Sequence, residues 1–144
     1  MFSKACEYGI RAAAHIALQS EKGFRVGLRD IAIAIDSPEA FTAKILQQLS
    51  RNDLIQSSKG PQGGFEMTPH QLKTVMLSDV VSIIDGDSIY TSCGLGLRNC
   101  NAKRPCPLHN EFLEIREKLR IMLETTTVRQ LAGSLEAGKA ILKR

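Results

Sequence analysis

Three of the four cysteines of this chain fall within fourteen residues, in the spacing Cys93-x6-Cys100-x5-Cys106, and His109 stands three residues beyond the last. Thiolates bind iron–sulfur clusters and zinc, and three of them with one imidazole complete a four-donor set. The same residues could instead form Cys3His zinc, or a metal-free switch that works by disulfide formation. The surroundings favour thiolates: Arg98, Lys103 and Arg104 are cationic, and no acidic residue occurs between Asp87 and Glu111. Nearby cations lower a thiol pKa and offset an anionic centre. Cys106 precedes Pro107, which is expected to open a long helix, so its sulfur is expected at the positive helix end, with His109 on the same face. A Cys/His nucleophile is less economical than shared ligation by all of these groups. His15, in an alanine-rich segment, and His70, after Pro69 in a polar turn, read as structural or solvated.

The elements that must position this loop follow from periodicity and punctuation. Cys6–Ser20 is helical, with Ile10, Ala14, Ala17 and Leu18 on one face. Leu28, Ile31, Ala32 and Ile35 recur at i, i+3, i+4 and i+7, a short amphipathic helix. Ser37 is expected to cap the next helix, with Pro38 at its first position. That helix runs to about Asn52, burying Phe41, Ile45, Leu46 and Leu49 and leaving Thr42, Lys44, Gln47, Gln48 and Arg51 for other faces. Leu54–Ser57 and Phe65–Thr68 are strands joined by the breaker-rich turn Lys59-Gly60-Pro61-Gln62-Gly63-Gly64. Leu77, Val80, Val81 and Ile84 mark a further helix closed by Asp85-Gly86, and Asp87–Pro107 is irregular. Leu108, Phe112, Ile115, Leu119 and Met122 form a heptad-like seam suited to a partner helix, and a shorter helix plus tail fills Val128–Leu142.

This is a mostly α chain with a small β-hairpin wing: a winged helix-turn-helix followed by a long dimerisation helix. In such a pair the second helix enters the major groove of double-stranded DNA. Ser37, Pro38, Glu39, Ala40, Thr42 and Lys44 would face base edges or phosphates. In the wing, Gly60 and Gly63 let the backbone approach phosphate, with Lys59 and Gln62 beside them. Three segments follow: a DNA-binding unit over residues 1–86, a sensor loop over 87–107, and a dimerisation helix with tail over 108–144.

The run LRDIAIAIDSPEAFTAKILQQLSRNDLIQSSKGPQGGFEMT, the helix LSDVVSIIDG after it and the three-cysteine loop resemble the IscR/NsrR/RirA-type family of winged-helix iron–sulfur transcription regulators. The resemblance covers roughly residues 2–126, and the wing KGPQGGF with the downstream cysteines carries most of it. It implies a homodimer on a palindromic operator, with DNA affinity set by an iron–sulfur cluster that senses iron, redox state or nitric oxide. The cluster is expected to be of the 2Fe–2S type, with 4Fe–4S as the alternative. It implies Cys93, Cys100 and Cys106 as ligands, with His109 as the fourth. Glu7, supplied from the opposite subunit, is the alternative fourth ligand, and Cys6 beside it is a further candidate. The family often has arginine where Lys59 stands in the wing.

The rest of the composition narrows the field without deciding it. The 144 residues are 43% apolar and 24% charged, enough for one domain with a core. The net charge of +4 permits an anionic partner. Its excess is not concentrated in the DNA-reading half, where eight basic residues meet seven acidic ones over positions 1–69. No signal-peptide pattern and no membrane-length apolar run is visible, so a cytoplasmic location is expected. Phosphate loops, dinucleotide fingerprints and hydrolytic triads are missing, so no enzyme is expected. The rival from another class is a cluster- or zinc-binding scaffold or electron carrier that does not bind DNA. A third reading is a cluster-free thiol-switch regulator.

Overall fold

A computed structural model describes residues 1–138 and 142; the remainder of the tail expected over 108–144 lies outside the described residues. Helix α1 (Lys4–Glu21) is the axis of the core. Ser3 caps it by accepting from the Cys6 N–H at 3.1 Å, and its own N–H donates to Asp85 at 2.9 Å. The buried positions of α1 are Cys6, Gly9, Ala12, Ala13, Ala14, Ile16 and Ala17. Such short side chains let neighbours approach the backbone closely, and at Gly9 a Cβ would lie 2.2 Å from Ile84 Cδ1. Helices α2 (Leu28–Ile35), α3 (Glu39–Arg51), α5 (Leu77–Asp85) and α8 (Val128–Glu136) all pack on α1. Ile31, Ile35, Ile45, Leu46, Leu49, Val80, Val81, Val128 and Ala132 close the core around it.

The joint between α2 and α3 is short. Asp36 takes a left-handed conformation (φ 54°, ψ 57°) and sends its N–H back into α2. The expected cap shifts by one residue: Pro38 is the N-cap of α3 and no side chain caps it. Ser37 lies one residue outside the helix, and its hydroxyl accepts from Thr42 Oγ1 at 2.8 Å instead of capping a backbone N–H. Strands β1 (Gln56–Ser58) and β2 (Gly64–Glu66) pair antiparallel, Ser57 opposite Phe65. Val26 adds a third rung, exchanging N–H···O bonds of 2.9 and 2.8 Å with Phe65. Gly64 (φ 135°) faces that rung, and a Cβ there would meet the Val26 carbonyl oxygen at 2.8 Å.

The polar turn expected around His70 is a helix, α4 (Pro69–Thr74), which the Thr68/Gln71 capping box and Pro69 together initiate. After α5, a single turn α6 (Ser88–Thr91) interrupts the segment expected to be irregular. The long helix α7 spans His109–Thr125 with Leu108 as N-cap, so it does not begin at Pro107. Pro107 disfavours helix in the residue before it, which keeps Cys106 outside α7. The far end of α7 is pinned to the α4–α5 connection: the Leu77 N–H donates to the Thr126 carbonyl at 2.9 Å, and the Val128 N–H to Val75 at 3.0 Å.

His15 lies half-buried on α1. Burial lowers its pKa below the usual value, with the Asp30 charge partly offsetting the shift. The unfolded chain therefore binds this proton more readily, and stability is lost as pH falls below about 6.5 toward the folded pKa. Urea unfolding followed between pH 7.5 and 5 is expected to show that decline, and His15→Gln to flatten it.

Candidate nucleic-acid interface and cysteine loop

The exposed side of α3 and the wing form one face. Pro38, Glu39, Ala40, Lys44, Gln47, Gln48 and Arg51 are exposed on α3, and Lys59, Gly60, Pro61 and Gln62 at the wing tip. Ser37 is partly covered. A cleft between the two elements is lined by Lys44, Gln47, Arg51, Ser57 and Phe65. Gly63 is needed at the turn itself, because a Cβ would stand 2.3 Å from the Ser58 carbonyl oxygen. From outside the hairpin, Arg25 donates to the Gln62 carbonyl at 3.4 Å and pairs with Glu66 at 3.0 Å, bracing the wing. Arg25 does not stand out in the sequence as a member of this face, because proximity to the wing decides it.

Thr42 corrects the sequence-based expectation. It is fully buried, and its hydroxyl lies 2.8 Å from Ser37 Oγ and 2.9 Å from the Pro38 carbonyl. It staples the start of α3 and is not presented to a groove. Polarity suggested an outward residue, but a β-branched side chain that satisfies its hydroxyl within its own turn can be buried.

The cysteine loop joins α6 to α7. Cys93 and Cys106 are half-exposed and Cys100 is exposed, all as free thiols. Of the expected donors, one pair stands in contact. Cys100 Sγ lies 3.4 Å from His109 Nδ1, whereas Cys93 and Cys106 make no side-chain hydrogen bond to that pair. Among the described residues, no three His, Cys, Asp or Glu side chains stand together as a metal-binding group. The Cys93 thiol is held below its ordinary pKa, chiefly by the backbone N–H groups of Leu95 and Leu97, and less by Cys106 and the Arg116 charge. Donor chemistry fits a sulfur-liganded metal group: three thiols, an imidazole, several cations and no competing carboxylate over residues 88–110.

Cys6 is not part of this site. It is fully buried in the core, and burial followed by the Asp85 charge pushes its thiol up to about 12. A thiol so placed is a small hydrophobe and not a ligand. Glu7 is ion-paired with Lys4 at 3.2 Å and Arg11 at 3.8 Å.

Helix α7 meets the loop through His109, Phe112 and Arg116, at i, i+3 and i+7. Arg116 Nη1 donates to the Ser92 carbonyl at 2.7 Å and Nη2 to Cys100 Sγ at 3.5 Å. The expected seam is therefore split. Phe112 lies on Gly94 and Leu119 packs toward the core, whereas Leu108, Ile115 and Met122 are exposed, as are Leu113 and Ile121. An α-helix turns every 3.6 residues, so a strict heptad stripe drifts around it. A Cβ on Gly94 would lie 2.4 Å from the Phe112 ring. Gly94→Ala is expected to displace the loop next to Cys93 with little loss of global stability. Faster proteolysis between residues 92 and 108, at an unchanged melting temperature, checks this.

The fold and the sequence can now be set beside known proteins. The family described as Rrf2, "Iron-dependent Transcriptional regulator", matches residues 2–134. The chain is 28% identical over 133 residues to a protein of Aquifex aeolicus named as an HTH-type transcriptional regulator, covering 91% of this chain and 90% of that one. It is 22% identical over 129 residues to the HTH-type transcriptional regulator IscR of Photorhabdus laumondii, covering 90% and 77%. Among solved structures, CymR, the global cysteine regulator of B. subtilis, superposes with a TM-score of 0.75 at 21% identity, covering 92% of this chain and 96% of that one. IscR of T. potens superposes with a TM-score of 0.73 at 17% identity, covering 98% and 92%. The winged-helix fold is common to them, and no helix among the described residues is long and apolar enough to cross a membrane. The match spans nearly the whole chain, and the chain belongs to the Rrf2 family of transcriptional regulators, a family of regulators and not of enzymes.

Proposed function

We propose that this chain is a homodimeric transcription regulator that binds a palindromic DNA operator, with an affinity set by an iron–sulfur cluster on Cys93, Cys100, Cys106 and His109. The observation that carries the reading is the Cys100–His109 contact at 3.4 Å, which joins the loop to the first turn of α7. It favours His109 over Glu7, whose carboxylate is engaged by Lys4 and Arg11. The family's description as iron-dependent and the IscR relative support the cofactor. When bound, the cluster supplies a centre sensitive to iron supply, oxidants or nitric oxide, of the 2Fe–2S type or, as the alternative, 4Fe–4S.

The chain's own residues supply the rest. Residues 1–86 read DNA through Ser37, Pro38, Glu39, Ala40 and Lys44 on α3 and through Lys59, Gly60, Gln62 and Gly63 in the wing. Residues 87–107 hold or release the donors, and 108–144 join the subunits. The exposed Leu108, Ile115 and Met122, flanked by Leu113 and Ile121, are the apolar surface a second α7 would cover. Ordering the loop fixes the start of α7 and so the relative placement of two α3 helices. They must meet half-sites about one DNA turn apart, ~34 Å.

Anaerobic purification with visible absorption and iron and sulfide analysis tests the cofactor. Cys100→Ala is expected to abolish the colour while the circular dichroism spectrum stays native, because the core elements lie elsewhere; global unfolding would make the loop structural instead. A second reading, a metal-free thiol switch, is supported by the three free thiols of the loop, none of them buried. A colourless wild-type protein with reactive thiols would select it, and stoichiometric zinc would select a Cys3His site. For DNA, Lys59→Ala is expected to weaken operator binding and reduce the salt-dependence slope by about one if the ammonium meets a phosphate. Binding titrations over a range of potassium chloride concentrations measure this, and an unchanged slope would remove the wing from the phosphate backbone.

A further inference from the structure

We propose that Arg116 is a fifth member of the cysteine centre: a positioning residue whose Nε–H donates to the anionic, sulfur-rich group held by Cys93, Cys100 and Cys106. The inference rests on the cluster reading above and deepens it.

A guanidinium has five N–H donors in a rigid planar fork and no acceptor. Two of its three nitrogens are accounted for: Nη1 by the Ser92 carbonyl at 2.7 Å and Nη2 by Cys100 Sγ at 3.5 Å. The third, Nε, is buried with no hydrogen-bond partner among the described residues. A buried N–H of a charged group left unpaired is costly, and such groups are nearly always satisfied. Arg116 also makes no ion pair among the described residues, although α7 carries Glu111, Glu114, Glu117 and Glu124. The segment it faces, residues 88–110, contains no carboxylate. What that segment does contain is sulfur: Arg116 Nη2 already donates to the Cys100 thiol at 3.5 Å. The missing acceptor is therefore assigned to the same centre, as a thiolate or bridging sulfide of the bound group. Hydrogen bonds to the sulfurs of a cluster stabilise its more reduced, more negative state and raise its reduction potential. Lysine, a single point charge, cannot bridge a carbonyl and two sulfur acceptors at once. Because the same fork holds the Ser92 carbonyl, one side chain of the dimerisation helix senses both the charge of the centre and the position of the loop.

The experiment uses the full chain, reconstituted anaerobically with ferrous iron and sulfide, as wild type, Arg116→Gln and Arg116→Lys. Three properties are read: the reduction potential, the rate of colour loss to a chelator, and the rate of proteolysis of the metal-free loop. The expected result is a more negative potential in Arg116→Gln and about tenfold faster iron loss, the effect of one charge-assisted hydrogen bond. Arg116→Lys is expected to keep part of the potential and to remain labile. Should Arg116→Gln fail to fold, the lysine variant decides: wild-type potential and lability together overturn the proposal. Faster proteolysis of the metal-free loop with an unchanged potential overturns it too, since Arg116 would then only tie down the loop. Wild-type protein that takes up no iron and sulfide overturns the cluster reading and this proposal with it. That outcome is visible before any variant is made, so the two failures are told apart.

Discussion

Four helices of this protein lean on one, and α1 can serve them all because its buried positions carry so little side chain. Cys6, Gly9, Ala12, Ala13, Ala14 and Ala17 let α2, α3, α5 and α8 approach from different sides. Close packing of this kind transmits strain between elements, since cores resist compression. The reading helix α3 and the helix α5 that feeds the cysteine loop touch the same stretch of α1 and each other. In the proposed regulator, this shared packing would be the path from the loop to α3.

The second constraint is the double attachment of α7. Its far end is tied by backbone hydrogen bonds to the α4–α5 connection, while its near end meets the cysteine loop through His109, Phe112 and Arg116. Between these anchors it shows solvent a row of apolar side chains. The helix is thus held at one end by the core and at the other by a loop of free thiols. Main-chain ties give the far end a fixed direction. Sulfur contacts give the near end one that depends on chemistry.

The two faces of the molecule were unequally legible. The helix-turn-helix pair could be read from the i, i+3, i+4, i+7 spacing of Leu28, Ile31, Ala32 and Ile35, and from the breakers around Ser37-Pro38. The wing could be read because Gly60, Gly63 and Gly64 mark a tight turn, and each proves to stand where the chain is left-handed or too crowded for a Cβ. The outward placement of Thr42 failed, since a hydroxyl that bonds within its own turn is as buriable as a methyl group. Helix α4 was legible in principle: Thr68, Pro69 and Gln71 are a capping signal, which its short apolar content masked.

Residue types and local spacing by themselves determined the mostly helical plan, the hairpin, and the presence of three thiols and an imidazole in a segment free of carboxylates. These depend on interactions within a few residues, where the backbone's own geometry sets who can meet whom. Tertiary structure alone decided that Cys6 is core while the other thiols are accessible, that Cys100 pairs with His109, and that Arg116 reaches back 24 residues to Ser92. It also decided which half of the α7 seam turns inward. Contacts of that range form only when loop closure and helix packing are satisfied together, and no local pattern encodes that sum.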